Sequence, residues 1–275
     1  MRDRYSSSNG YPYRNFKRMD EFRIIKELGK GGYSIVYLVE HNKTGEKYAL
    51  KCAFKLKKGK DRSHRTRTEI EVLDYLEHPN IVKIKGWFED DETIYLVLEH
   101  LRGKDLVHFF KKDLPSNKDA IKVVKQIIDA ISYCHSKGII HRDIKMDNIL
   151  IDKTLTIKIT DFGLCAVNES DNDVYYSEVG TVRYTAPEIL SGKGYNKSID
   201  IWSFGIVLFM LLTRKYPFDG SNKQKVFKRI LDKEIDYNKY PVNSQAKHLL
   251  KHILVKDPDY RYNLDEIMKH PWLNE

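Results

Sequence analysis

Cysteine is scarce: Cys52, Cys134 and Cys165 are the whole complement. An odd set of three without metal-like spacing excludes a disulfide framework and a zinc module, so they are read as reduced thiols. Long apolar runs are lacking too. The longest, about Phe204 to Leu212, ends between Asp200 and Arg214, well short of the roughly 20 residues of a bilayer span. It reads as a buried helix. The first residues are polar with scattered arginines and hold no secretory core, so no membrane span is expected and the location read from the sequence is intracellular, cytoplasmic or nuclear. Acid is short relative to base: 39 Asp and Glu against 48 Lys and Arg leave a formal charge of +9. Part of the excess sits between Lys55 and Arg67, where Lys57, Lys58, Lys60, Arg62 and Arg65 accompany one acid, Asp61. That run reads as a solvated loop or, alternatively, as a surface for an acidic or phosphorylated partner; the absence of interleaved aromatics disfavours nucleic acid.

What is present is a chain of 275 residues, 41% hydrophobic and 32% charged, long enough to bury a substantial core. Residues 1 to about 20 are rich in Arg, Ser, Tyr and Asn without apolar period, and are read as a disordered tail. From Phe22 the pattern changes. Strands are expected over Phe22 to Leu28, Ile35 to Val39, Lys47 to Phe54, Ile81 to Phe88 and Ile94 to Glu99, with Asn42-Lys43-Thr44-Gly45 as a turn and a helix over Thr66 to Leu76. After Leu101 the chain turns helical. Ser116 and Asp119 have capping-box spacing, Ile121, Val124, Ile127, Ile131 and Cys134 follow at helical spacing, and Gly138 supplies the stop. A hairpin fits Ile149 to Ile151 and Thr156 to Ile159, and later helices fit Ile199 to Leu212, Gln224 to Leu231, Gln245 to Leu254 and Leu264 to Lys269.

Four local patterns carry chemistry. Gly29-Lys30-Gly31-Gly32-Tyr33-Ser34-Ile35-Val36 lies between two strands, where glycine lets backbone amides close over phosphate; by itself it reads equally as a hairpin turn. A strand follows these glycines, which excludes a dinucleotide-binding βαβ unit. Lys51 ends Tyr48-Ala49-Leu50-Lys51; alone it is an exposed strand-end charge, but Glu69 on the following helix is placed to pair with it. His141-Arg142-Asp143-Ile144-Lys145-Met146-Asp147-Asn148 packs a base, a cation and an amide into one loop. Asp161-Phe162-Gly163 then closes the next hairpin, and two acids with an amide at this separation suit divalent ions on phosphates.

In this order, and with Ala186-Pro187-Glu188 after them, these motifs resemble the eukaryotic protein kinase family, from about Phe22 to Leu273. The ending His270-Pro271-Trp272-Leu273 and His78-Pro79-Asn80-Ile81-Val82 look most like its calcium/calmodulin-dependent and AMP-activated group. The resemblance implies an α+β, bilobal fold: a small β-rich N-lobe with one main helix at about 21–99, a hinge at about 99–104, and a larger helical C-lobe at about 105–273. It implies a serine/threonine kinase that transfers the γ-phosphate of ATP, with Mg²⁺, to protein substrates; a catalytically inactive binding scaffold is the alternative. Lys51 would hold phosphates while paired with Glu69. Asn148 and Asp161 would bind Mg²⁺, and Asp143 would orient the substrate hydroxyl and take its proton. Leu28, Gly29, Gly31, Ser34, Val36, Ala49, Leu98, Glu99, Leu101, Asp105 and Leu150 would surround the nucleotide. Lys145 and Thr181 look like the serine/threonine branch. Leu73, Ile84, His141 and Phe162, anchored by Asp200, look like the family's stacked apolar spine, and Glu188 and Arg261 like its buried ion pair.

Ser34 stands where a third glycine is often found in this family, and Met146 where proline is common; neither touches a reacting group. Ser177, three residues before Gly180, is expected to be an activating phosphorylation site for an upstream kinase. Its phosphate would reach Arg142, with Arg65 as a second candidate. Asp105 and Asp147 resemble acids that read arginine before the target, so basic peptide substrates are expected. The expected state is a monomer.

Overall fold

A computed structural model of the chain describes residues 16–57, 59–168, 173–177 and 180–275. The tail expected over residues 1–15, and Lys58 of the basic run, lie outside the described residues. The chain divides into two compact units, Met1–Arg102 and Gly103–Glu275.

The first unit is built on β1 (Phe22–Lys30), β2 (Ser34–His41), β3 (Lys47–Phe54), β4 (Leu56–Lys57), β5 (Lys60–Asp61), α1 (Ser63–Tyr75), β6 (Ile84–Glu89) and β7 (Thr93–Glu99). Five strands form one antiparallel sheet in the order β1-β2-β3-β7-β6. The two-residue period of a strand separates the faces of β3. Tyr48, Leu50 and Cys52 join a buried layer with Phe16, Phe22, Val39, Phe88 and Val97, while Lys51 is offered to α1. Phe16 corrects the sequence reading: it is buried in that layer, 5.1 Å from the Phe22 ring and 5.7 Å from that of Tyr48. Residues 16–20 are therefore a packed strap and not disordered tail. One aromatic carries that strap, so no periodic pattern announces it.

The basic run is likewise no loop. β4 and β5 pair as a short hairpin, and α1 starts at Ser63, three residues before the expected position. Asp61, the single acid of the run, sets this start: its carboxylate accepts from Ser63 N–H at 2.8 Å and from the Ser63 hydroxyl at 2.7 Å, completing donors that a helix start leaves open.

The second unit comprises β8 (Gly103–Asp105), α2 (Leu106–Phe109), α3 (Asn117–Ser136), β9 (Ile139–Ile140), β10 (Ile149–Asp152), β11 (Ile157–Ile159), β12 (Ala166–Val167), α4 (Pro187–Ser191), α5 (Ser198–Thr213), α6 (Lys223–Asp232), α7 (Ser244–Ile253) and α8 (Leu264–Met268). The helix expected after Ser116 forms with Ser116 as cap, accepting from Asp119 N–H at 3.1 Å. The reciprocal half of the box differs: the Asp119 carboxylate takes the Ser116 hydroxyl, because Asp is one methylene shorter than the Glu that reaches back to the cap's own N–H. Gly138, at φ +72°, ends the run. The apolar Phe204–Leu212 run lies in α5, whose residues Ile199 to Phe209 are all buried, so it is an interior helix. Among the described residues no helix is long and apolar enough to cross a membrane. Small sheets β11-β10-β8 and β12-β9 frame the loops that follow.

Candidate active site

In the first unit, the antiparallel register sets Val36 opposite Lys51 and Ala49 between Leu38 and Leu98. Leu98 is buried and Glu99 is anchored, its carboxylate accepting from Lys83 N–H at 2.7 Å. Gly31 N–H bonds the Ser34 carbonyl at 2.8 Å, closing the tip of the β1–β2 hairpin. A Cβ built at Gly29 or Gly32 would meet no atom within 4 Å, so no crowding at either position demands glycine. Ser34 replaces glycine without obstruction: its hydroxyl lies 3.5 Å from where a Gly31 Cβ would stand.

The chemistry of this unit is one ion pair. Lys51 Nζ donates to both Glu69 oxygens at 2.7 Å, with side chains 13% and 3% exposed. Helical spacing explains it, since Thr66, Glu69, Ile70, Val72 and Leu73 form the buried stripe of α1 and Glu69 is its one acid.

In the second unit, the Asp143 carboxylate gathers three groups. Lys145 Nζ donates to its Oδ2 at 2.6 Å, Asn148 Nδ2 to Oδ2 at 3.0 Å, and the Thr181 hydroxyl to Oδ1 at 2.9 Å; Lys145 also reaches the Thr181 oxygen at 3.1 Å. Asp143 is 6% exposed. The loop beneath it is held by tautomer and by charge. His141 Nδ1 accepts from Asp143 N–H at 3.2 Å, so Nε2 carries the proton and donates to the Thr160 carbonyl at 3.1 Å. Asp200, from α5, accepts His141 N–H at 2.9 Å, Arg142 N–H at 2.8 Å and His135 Nε2 at 2.9 Å. Burial opposes ionisation of Asp200, but the hydrogen bond from His135 and the backbone N–H of His141 outweigh it and hold the carboxyl below its usual range.

Two residues here carry backbone strain. Arg142 and Asp161 stand at φ +64° and +65°, a region costly for residues with a Cβ and characteristic of functional sites. Phe162 is fully buried, its ring meeting that of His141 edge-on at 4.6 Å; Leu73 and Ile84 are buried in the first unit. Leu150 pairs with Asp105, whose carboxylate caps α2 through His108 N–H at 2.9 Å. Glu188 and Arg261 form the expected ion pair, with bonds of 2.8 and 3.0 Å.

Ser177 meets Arg142: Nη1 donates to its hydroxyl at 3.3 Å. Sequence reasoning placed Lys51 with Glu69, Asp143 with Lys145 and Asn148, and Arg142 near Ser177. It missed the Thr181 hydroxyl bond to Asp143, the His135 contact to Asp200 and the whole environment of Tyr195. Only Gly194 beside Tyr195 could have hinted at the last.

A family model described as "Protein kinase domain" matches residues 22–273. The chain belongs to the protein kinase family. Its curated relatives include calcium-dependent protein kinase 33 of Arabidopsis thaliana, 37% identical over 273 residues, 96% of this chain and 52% of that protein. An Aurora kinase of Dictyostelium discoideum is 36% identical over 259 residues, covering 94% and 67%. Myosin light chain kinase A of the same organism is 35% identical over 259 residues, covering 92% and 88%. The chain thus spans about half the length of the plant calcium-dependent kinases it matches. The family generally uses ATP and Mg²⁺ and acts on protein substrates.

Proposed function

We propose that the chain is a serine/threonine protein kinase that transfers the γ-phosphate of ATP to hydroxyls of protein substrates. The observation that carries this reading is the Asp143 carboxylate held by Lys145 and Asn148 while accepting an aliphatic hydroxyl, that of Thr181, at 2.9 Å. A substrate Ser or Thr hydroxyl has the same chemistry. Asp143 orients it and takes its proton; Lys145 keeps the carboxylate in place and adds positive charge where negative charge moves. ATP would supply the phosphoryl group and Mg²⁺ the charge that neutralises it, with Asn148 and Asp161 as oxygen ligands, the Lys51 ammonium on phosphate oxygens, and Gly29 and Gly31 assigned to the phosphate loop. Leu28, Ser34, Val36, Ala49, Leu98, Glu99, Leu101, Asp105 and Leu150 are assigned to the nucleotide. The inactive-scaffold alternative needs a lost catalytic group, and Lys51, Glu69, Asp143, Asn148 and Asp161 are all present.

Ser177 is the proposed activating site of an upstream kinase. It is exposed, and Arg142 already faces its hydroxyl, so a phosphate there would gain a charge-assisted bond. Asp105 and Asp147 favour basic residues before the target hydroxyl. The enzyme is assigned as a monomer acting in the cytoplasm or nucleus.

A radiolabelled ATP assay on a degenerate peptide library tests these points together. Label should enter Ser and Thr peptides enriched in basic residues, and Asp143→Asn should lower the rate by about 10³-fold while thermal unfolding shows the fold intact. Transfer by Asp143→Asn at the wild-type rate would overturn the role of Asp143, and selection of acidic peptides would overturn the substrate reading.

A further inference from the structure

The segment carrying Ser177 is held in place without any phosphate. Arg142 is bound at every nitrogen: Nε donates to the Leu164 carbonyl at 2.6 Å, Nη2 to that of Cys165 at 3.0 Å, and Nη1 reaches both the Ser177 hydroxyl at 3.3 Å and the Tyr195 oxygen at 3.2 Å. Tyr195 is 3% exposed. Its hydroxyl donates to the Ser177 carbonyl at 3.0 Å, and its oxygen lies 3.0 Å from the Ser177 hydroxyl. The hydrogens close this set completely. The single Tyr195 proton goes to the Ser177 carbonyl, so its oxygen accepts one Nη1–H and the Ser177 O–H, and Ser177 Oγ accepts the other Nη1–H.

A second device seats Tyr195. Tyr175 and Tyr195 exchange two backbone bonds, each 2.9 Å, as an isolated antiparallel bridge. Their rings stack with centroids 5.8 Å apart, and Arg142 lies 5.6 Å over the Tyr175 ring. The Tyr175 hydroxyl is tied to Asn168 Oδ1 at 2.8 Å and to the Val167 carbonyl at 3.0 Å, on strand β12. Gly194 makes this approach feasible: it stands at φ +83°, and a Cβ there would lie 2.5 Å from Val174 Cγ1.

We propose that Tyr195, seated by Tyr175, is a positioning residue that docks the Ser177 segment on Arg142 in the unmodified chain. Once Ser177 is phosphorylated, the Tyr195 hydroxyl turns its one proton from the Ser177 carbonyl to the phosphate, as a second donor beside Arg142. The consequence for activity runs along the chain. Ser177 is fixed at Arg142, and four residues on Thr181 is fixed at Asp143, so the clasp anchors one end of the segment whose other end meets the catalytic carboxylate. This rests on the kinase reading above.

The test uses the full chain, dephosphorylated, and Tyr195→Phe, which keeps the ring and the backbone bridge but deletes the hydroxyl. Amide exchange over 173–177 should quicken by about tenfold, and kcat/KM for peptide should fall by a similar factor with KM for ATP unchanged, the effect of losing one bond to a charged group. Phosphoserine at position 177 should restore most of the peptide rate, because its charge engages Arg142 directly. Gly194→Ala should quicken the same amides by opening the bridge from the backbone. Unchanged exchange in Tyr195→Phe, or a rise in KM for ATP equal to the loss for peptide, would overturn the clasp. If exchange quickens as expected and no form of the protein transfers phosphate, the clasp stands and the kinase reading fails.

Discussion

Lys51–Glu69 in the first unit and Arg261–Glu188 in the second are both buried or nearly buried ion pairs, and they are built differently. In the first, a lysine meets a helix glutamate on both oxygens, with the ammonium side chain 13% exposed. In the second, all five N–H groups of Arg261 are accounted for: Nη1 on Glu188 and the Ser198 carbonyl, Nη2 on Glu188 and the Val255 carbonyl, Nε on Val255 again. Its guanidinium also lies 5.2 Å over the Trp202 ring, and its side chain is 0% exposed. A planar fork with every donor committed cannot turn to another partner; an ammonium on a flexible stem can. The contrast separates a charge that fastens α4 to the helical unit from a charge placed to act on something else.

The largest effect should come from the fastening pair. Glu188→Ala leaves the buried Arg261 without its carboxylate, a loss of about 3–5 kcal/mol for a broken buried pair, read as the drop in urea unfolding free energy. A loss under about 1 kcal/mol would mean that the carbonyls of Ser198 and Val255 suffice, and the distinction between the pairs would disappear. Glu69→Gln should behave in the opposite way. Lys51 is close enough to the surface to be hydrated, so stability should fall by only about 1 kcal/mol, whereas phosphotransfer should fall by about 100-fold as the ammonium loses its fixed position. Equal damage to stability and activity in both variants would erase the comparison.

The same contrast explains what could be read from the residues alone. Lys51 and Glu69 lie on elements with plain periodicity, and Asp143, Lys145 and Asn148 are neighbours in one loop, so type and spacing suffice to group them. Helices α3, α5, α7 and α8 were readable for the same reason, with α3 capped by a serine and stopped by a glycine. Phe16 was not readable, because a single aromatic outside any repeat has no period and its burial depends on a sheet formed by residues far along the chain. The early start of α1 was hidden because Ser63, His64 and Arg65 carry no apolar period, and only the position of Asp61 decides it. Tyr195 and Tyr175 are twenty residues apart and meet through a backbone bridge that no side-chain pattern encodes.

The smallest effect should separate the two units by acid. Asp200 is 1% exposed and serves two backbone amides and His135, and its carboxyl is held below the usual range. A carboxyl whose folded pKa is depressed contributes stability in full above its unfolded value, near 3.9, and that contribution drains away as pH falls through the folded value. In the first unit the lowered carboxyls include Asp61 and Asp90, each held chiefly by a neighbouring hydroxyl, and those of two ion pairs, Glu40 held chiefly by Arg23 and Glu89 held chiefly by Lys55. The two are surface pairs, weak and screened by salt. Amide exchange as pH falls below about 4 reads both units at once. The His141 and Arg142 amides, which donate to Asp200, should lose protection at a higher pH than those of Leu50 and Val97 in the sheet, and raising the salt should not move that step. If the sheet amides opened first, or if salt shifted the His141 step, Asp200 would not be the acid-sensitive support of the catalytic loop, and the weak point would have to be sought among the surface carboxylates of the first unit.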